Sequence, residues 1–299
     1  MIFVCIFCAL NVSSLSFAGL CSEWSAPLQI GALDSQIKEA SGIIASRNFE
    51  NHIYHINDSG SGPEFFVTDS MGKLVEKVAI NNFKPRDTED MSLGTCGLDS
   101  CIFIADTGDN NHVKTDSRIV AIKEKKNFGG AADILATITF RYPDQKAYNV
   151  EAVDIHPNGD LVIITKDSPS GTDVSQVFWL SAAELWDTSV AVKNLHRIGE
   201  IDFKAILGDY SKNALVTSLN IHPSGNRFSV LTYLTIVEFN FDITKGINRE
   251  VLPKDYSLVP TKKLIQQEAV SYLPTQDALL YTTEAKNAPM FKVNCLSRK

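Results

Sequence analysis

Four glutamates and one threonine recur at matched places along the chain: Glu39, Glu89, Glu151, Thr217 and Glu268. Intervals of 50, 62, 66 and 51 residues separate them. Each opens a short apolar run, followed by a turn and a second apolar run that ends in polar residues. Those ends carry Asn57 and Asp58, Asp106 and Thr107, Lys166 and Asp167, Thr232 and Tyr233, and Thr283 and Glu284. If the five stretches share one geometry, carboxylates distant in sequence meet in space. Gathered carboxylates repel and raise one another's pKa unless a cation or hydrogen-bond donors intervene. Hard divalent cations take such oxygen ligands. The candidate metal ligands are therefore Glu39, Glu89, Glu151, Glu268 and Asp58. A cation so held polarises a carbonyl or lowers the pKa of a water. Glu151 is then the candidate general base, and Asp106 borders the substrate. Two other readings stay open. The glutamates can act as mortar, accepting N–H bonds from a neighbouring strand, or the ring can read a cationic ligand. Lys166 breaks the acidic set and can neutralise it internally.

The elements that must position these residues follow from the repeat. "VEAVDIHPNGDLVIIT" from Val150 and "VTSLNIHPSGNRFSVLT" from Val216 share a frame of strand, Pro-x-Gly turn and strand. "KEASGIIASRNFENHIYHINDSG", "DTEDMSLGTCGLDSCIFIADTGD" and "QEAVSYLPTQDALLYTTEAKN" follow the same plan, with turn residues between two apolar runs. Each of the first four intervals holds two more strand candidates: "EFFVTDS" and "KLVEKVAI", "RIVAIKE" and "ATITFRYP", "QVFWLSA" and "HRIGEIDF", "IVEFNFD" and "YSLVPTKK". "AAELWDTS" reads as a helical turn. Four short antiparallel strands per unit of this period are the pattern of a β-propeller blade. The fold class is thus all-β, a propeller of five blades, with six as the alternative. The last unit has only "MFKVNCL" after its hairpin, so its outer strand is expected from "PLQIGALDS" at the start of the mature chain, which removes the open sheet edges. The innermost strands face a central channel and carry the glutamates.

Residues 1–18 read as a secretory signal peptide, with Ser16-Phe17-Ala18 as a small-x-small cleavage site, and residues 19–299 as a single propeller domain. The expected location is periplasmic or secreted. Four cysteines remain after cleavage. Cys96 and Cys101 flank the turn "GLDS" and suit a local bridge, which leaves Cys21 to pair with Cys295 at the seam between the chain ends. Among these four cysteines no CxxC spacing suggests zinc, nor does any HxxxH. The chain of 299 residues is 44% hydrophobic and carries a net charge of −7, with no long basic run. Nucleic acid is a poor partner on that balance, and no segment is apolar for long enough to span a membrane. His156 and His222 sit in the matched I-H-P-x-G turns and read as braces. His55 and His112 are placed where they could reach the channel. Asn57-Asp58-Ser59 fits a glycosylation sequon. No Ser-His-Asp order, G-x-S-x-G elbow or Walker loop is present.

At "EASG", "NDSG", "DTED" and "ADTGDN" the chain resembles a group of exported bacterial β-propellers and, more distantly, the gluconolactonase and senescence-marker family. The resemblance implies one divalent cation on the propeller axis, held by a Glu of the first inner strand with Asn and Asp residues, and hydrolysis of lactones or related esters. Glu39 in "EASG" matches that Glu. That family has six blades, one more than the repeat supports here. Two functions follow as expectations: a monomeric exported hydrolase using Ca²⁺ or a similar ion, or a non-catalytic propeller that binds a small molecule, protein, peptide or glycan at the top of the channel.

Overall fold

The structure, a computed structural model, describes residues 19–166, 174–208, 214–274 and 277–299. The proposed signal segment and Asp167 lie outside the described residues. Two strands open the described chain, β1 (Cys21–Trp24) and β2 (Leu28–Ala32), and they complete the last blade. Blade 1 follows as β3 (Ala40–Ala45), β4 (Ile53–Asn57), β5 (Glu64–Thr68) and β6 (Leu74–Asn81). Blade 2 is β7 (Asp90–Cys96), β8 (Asp99–Asp106), β9 (Ser117–Lys123) and, after the short β10 (Ala131–Asp133), β11 (Ala136–Arg141). Blade 3 is β12 (Ala152–Ile155), β13 (Leu161–Ile164), β14 (Ser175–Leu180) and, after α1 (Ala182–Leu185) and β15 (Val192–Asn194), β16 (His196–Ile201). The one-turn α1 is nucleated by a capping box between Ser181 and Glu184. Blade 4 is β17 (Val216–Ile221), β18 (Phe228–Thr232), β19 (Ile236–Phe239) and β20 (Tyr256–Val259). Blade 5 is β21 (Gln267–Tyr272), β22 (Ala278–Thr283) and the long β23 (Pro289–Arg298).

This is a five-bladed propeller, so the six-bladed alternative falls. The inner strands touch in a ring, β3 to β7, β12, β17, β21 and back to β3. Five apolar clusters fill the five gaps between blades. The cluster between blades 5 and 1, with Leu33, Ile43, Phe66, Ala269 and Leu280, closes the ring. Sandwiched on both faces, the inner strands β3, β17 and β21 are buried at every residue. The outer β6 alternates, because one face meets water.

Closure combines two devices. Both β2 and β1 pair antiparallel with β23, β2 along Pro289–Lys292 and β1 along Cys295–Arg298. The Cys21–Cys295 disulfide lies in that second segment, and Cys96–Cys101 clamps the β7–β8 hairpin. Both bonds are compatible with an extracellular or periplasmic location. Among the described residues no helix is long and apolar enough to cross a membrane.

Two strands were not legible in sequence. β10 pairs parallel with β6, and β15 pairs parallel with β11. Each is a stretch of three residues leaving its own blade to cover the outer edge of the preceding one. Three residues are too few to show an alternation, yet they hide edges that would otherwise offer free N–H and C=O groups.

Candidate functional site

The inner strands carry two polar levels. In the lower one, side chains bond the next blade's backbone. Asp90 Oδ2 accepts from Val153 N (3.1 Å) in blade 3 and Leu219 N (3.2 Å) in blade 4, and Oδ1 accepts from Met91 N (2.9 Å). Asp154 accepts from Ile221 N and from Asn220 Nδ2 (3.0 Å). Ser218 Oγ accepts from Val270 N (3.3 Å), Asn220 Oδ1 from Tyr272 N (2.7 Å), and Ser271 Oγ from Ala45 N (3.1 Å). These residues stand one or three positions after the recurrent Glu or Thr. Mortar is therefore supplied here by their neighbours. Since Asp90 reaches both blade 3 and blade 4, it crosses the axis and floors the channel.

Above that floor lies a cavity of about 200 Å³. Five carboxylates line it: Asp58, Glu89, Glu151, Glu268 and Glu284. Ser41, Asn110, Lys166, Tyr233 and Gln266 complete the wall, and no aliphatic side chain is among them. Glu89, Glu151 and Glu268 thus converge, as the repeat required. Asp58 joins them from the end of β4.

Glu39 does not join the wall. It is exposed at the rim, close enough to add its charge to Asp58 and Glu284. Asp106 is also placed elsewhere. Its carboxylate is buried and accepts from the backbone of Arg86 (2.8 Å) and Asp87 (2.7 Å) and from Arg118 Nε (2.6 Å). That engagement fixes the segment carrying Asp87 and Glu89, so Asp106 positions the site from behind it. His55 and His112 are likewise absent from the wall. His55 is fully buried against Thr68 Oγ1 (2.9 Å). His156 Nε2 meets Gly225 O (3.1 Å), which ties the blade 3 turn to the blade 4 turn, and His222 Nδ1 meets Ser224 Oγ (2.9 Å) within its own turn. Asn57 is 4% exposed with its amide held by Glu39 and Gln36, which closes the sequon to a glycan in the folded chain.

The wall divides chemically in two. On the side of blades 1 and 2, the wall residues Asp58 and Glu89 and the neighbouring Asp87 each offer one oxygen, all within 4.8 Å of one another. Asp87 was missed in sequence, although "DTED" places it two residues before Glu89, on the same side of an extended chain. Gly108 makes the approach possible: a Cβ there would lie 2.0 Å from Glu89 Oε1 and 2.7 Å from Asp87 Oδ2. Ser41 Oγ donates to Glu89 Oε2 (3.3 Å), and Lys114 Nζ to Asp87 Oδ2 (3.3 Å). Burial pushes Glu89 well above the usual carboxylate range, and the charges of Glu151 and Asp58 push the same way. Burial also raises Asp58, with Asp87 and Glu39 adding to it against its Ser59 bond.

On the side of blades 3 and 4, the Lys166 ammonium donates to Glu151 and to Tyr233 Oη (2.7 Å). Burial opposes its charge, but Glu151 and Glu268 outweigh burial and hold it above the ordinary lysine value. Burial and the Glu151 charge lift Glu268 to about 9.

The oxygen set of blades 1 and 2 fits a hard divalent cation. Two ligands of one Ca²⁺, each about 2.3–2.6 Å from it, are at most about 5 Å apart, and the three oxygens meet that limit.

No protein-family model matches the chain, and no curated protein does. Among solved structures, the chain is similar to a luciferin-regenerating enzyme at 11% identity and a TM-score of 0.46, covering 92% of this chain and 97% of that one. It is similar to the β-propeller domain of Cps50 (Swd1) from Myceliophteria thermophila at 9% identity and a TM-score of 0.44, covering 86% and 84%.

Proposed function

We propose that the upper end of the channel is a divalent-cation site, with Ca²⁺ as first choice, in an exported enzyme that hydrolyses small esters or lactones. One observation carries the reading: oxygens of Asp58, Asp87 and Glu89 converge to within 4.8 Å of one another, and Asp58 and Glu89 line a cavity whose five carboxylates face one lining ammonium. When bound, the cation supplies Lewis acidity toward a carbonyl or a water. The chain's own residues bind and orient. Glu89 and Asp58 present oxygens, Asp106 holds the segment behind them, and Glu151 anchors Lys166. Glu268, raised to about 9, carries a proton at neutral pH that a leaving oxygen can take. Glu151 is left to accept the proton of the attacking water.

The cavity's volume and wholly polar wall suit a small hydrophilic molecule. The test is calorimetry with Ca²⁺ before and after EDTA treatment, alongside a lactone and aryl-ester panel. Metal-dependent turnover that disappears in Glu89→Gln, with folding retained, supports the enzyme. Cation binding without turnover makes the channel a binding module. No cation binding at all sinks the metal site.

A further inference from the structure

Blade 4 breaks the acidic ring, and the break has a chemical consequence. Thr217 stands where other blades carry Glu. Its hydroxyl is engaged by the carbonyls of Gln267 (2.8 Å) and Leu231 (3.5 Å). Thr217 is absent from the cavity wall, where Lys166 and Tyr233 appear instead. The Lys166 ammonium lies 4.9 Å from the centre of the Tyr233 ring, and the side chain is 11% exposed.

An ammonium has three N–H donors. Among the described residues, hydrogen bonds to Glu151 and Tyr233 account for two. The Tyr233 hydroxyl accepts from lysine and lies close enough to Glu268 to feel its charge. The ammonium is thereby fixed from two sides, with one donor that no described residue engages in a group that lines the cavity. Held charged, it is neither a base nor an amine able to form an imine. What remains is hydrogen-bond donation and a fixed positive charge across the cavity from the carboxylate wall.

We propose that Lys166 binds the carbonyl oxygen of the molecule in the cavity, with Glu151 and Tyr233 setting its direction. This rests on the cavity being an ester- or lactone-cleaving site. In that reaction a water oxygen bonds to the carbonyl carbon, and its proton passes to a cavity carboxylate. The carbonyl electron pair moves onto the oxygen beside the ammonium. The pair then returns, the carbon–oxygen single bond of the ester breaks, and the departing oxygen takes the proton that the carboxylate received from the water. A fixed donor at that oxygen favours the charged intermediate over the neutral substrate.

The test compares Ca²⁺-loaded wild type with Lys166→Met, using a lactam as an uncleaved carbonyl probe in calorimetry. Wild type is expected to bind the lactam, and Lys166→Met to lose about tenfold or more. Lys166→Arg, which keeps the charge, should recover part of it. Ca²⁺ affinity should not fall in Lys166→Met, because a positive charge has been removed from its surroundings. On cleaved lactones, kcat should drop by about 100-fold or more with a smaller change in KM. The Lys166→Met/Glu151→Gln pair controls for folding, since it does not leave the Glu151 carboxylate without its ammonium. Equal lactam binding by wild type and Lys166→Met, or none by either, overturns the proposal. Lysine-dependent lactam binding without lactone turnover keeps the donor role and removes the hydrolytic reading instead.

Discussion

Glu89 and Asp90 are adjacent, acidic and buried, yet they live in opposite circumstances. Asp90 points across the axis, where Met91, Val153 and Leu219 each give it an N–H and Ser218 a hydroxyl. Glu89 points upward, where its neighbours are Ser41 and more carboxylates. One side chain is satisfied by the fold. The other is left with a demand that the fold does not meet, which is the usual mark of a functional position. A buried polar residue in a propeller core is therefore informative only once its partners are known.

The sharpest way to break this contrast is to remove each member. Asp90→Ala leaves three buried N–H groups without an acceptor and should cost about 4 kcal/mol of stability, read from urea denaturation. Glu89→Gln should change stability by less than about 1 kcal/mol, or raise it, because it relieves crowding. Equal losses in both variants would erase the distinction. The lower level also needs an intact ring. Cys21→Ser with Cys295→Ser, which removes the bond at the seam, should cost about 3 kcal/mol, as is typical of a native disulfide.

The upper level should answer to pH through its protons. Glu89 and Glu268 are both raised by burial, so each binds protons more tightly folded than unfolded. Their share of stability is present below the ordinary glutamate value and is lost as pH rises, for Glu268 through about 9. A cation held by Asp58, Asp87 and Glu89 must displace the Glu89 proton. Ca²⁺ affinity should therefore increase from pH 5 to pH 8, by about tenfold for each proton released per pH unit, and calorimetry in buffers of different ionisation enthalpy should detect the release. Affinity that is flat with pH would mean that the cation sits elsewhere. The smallest effect belongs to the rim: Glu39→Gln should lower Ca²⁺ affinity by no more than about threefold, as expected of an exposed charge. A large loss would return Glu39 to the ligand set.

The fold was legible because hairpins spaced at blade intervals repeat their turn residues and apolar runs, and because "PLQIGALDS" and Cys21 could complete only an unfinished last unit. The convergence of Glu89, Glu151 and Glu268 was legible for the same reason: equivalent positions in a closed repeat share an axis. The sequence could not separate Glu89 from Asp90, since strand direction fixes which of two neighbours faces the axis only after the blades are packed. It could not show that Asp87 completes the oxygen set, because Asp87 precedes the strand and is aimed by Asp106 and the room left at Gly108. It could not show that Glu39, equivalent in register, stays in solvent, or that Lys166 and Tyr233 replace the carboxylate missing from blade 4. Periodicity along the chain determined the architecture of this protein. Partners brought together across blades decided its chemistry, because the free energy of a buried charge depends on the few ångströms around it, which no linear spacing records.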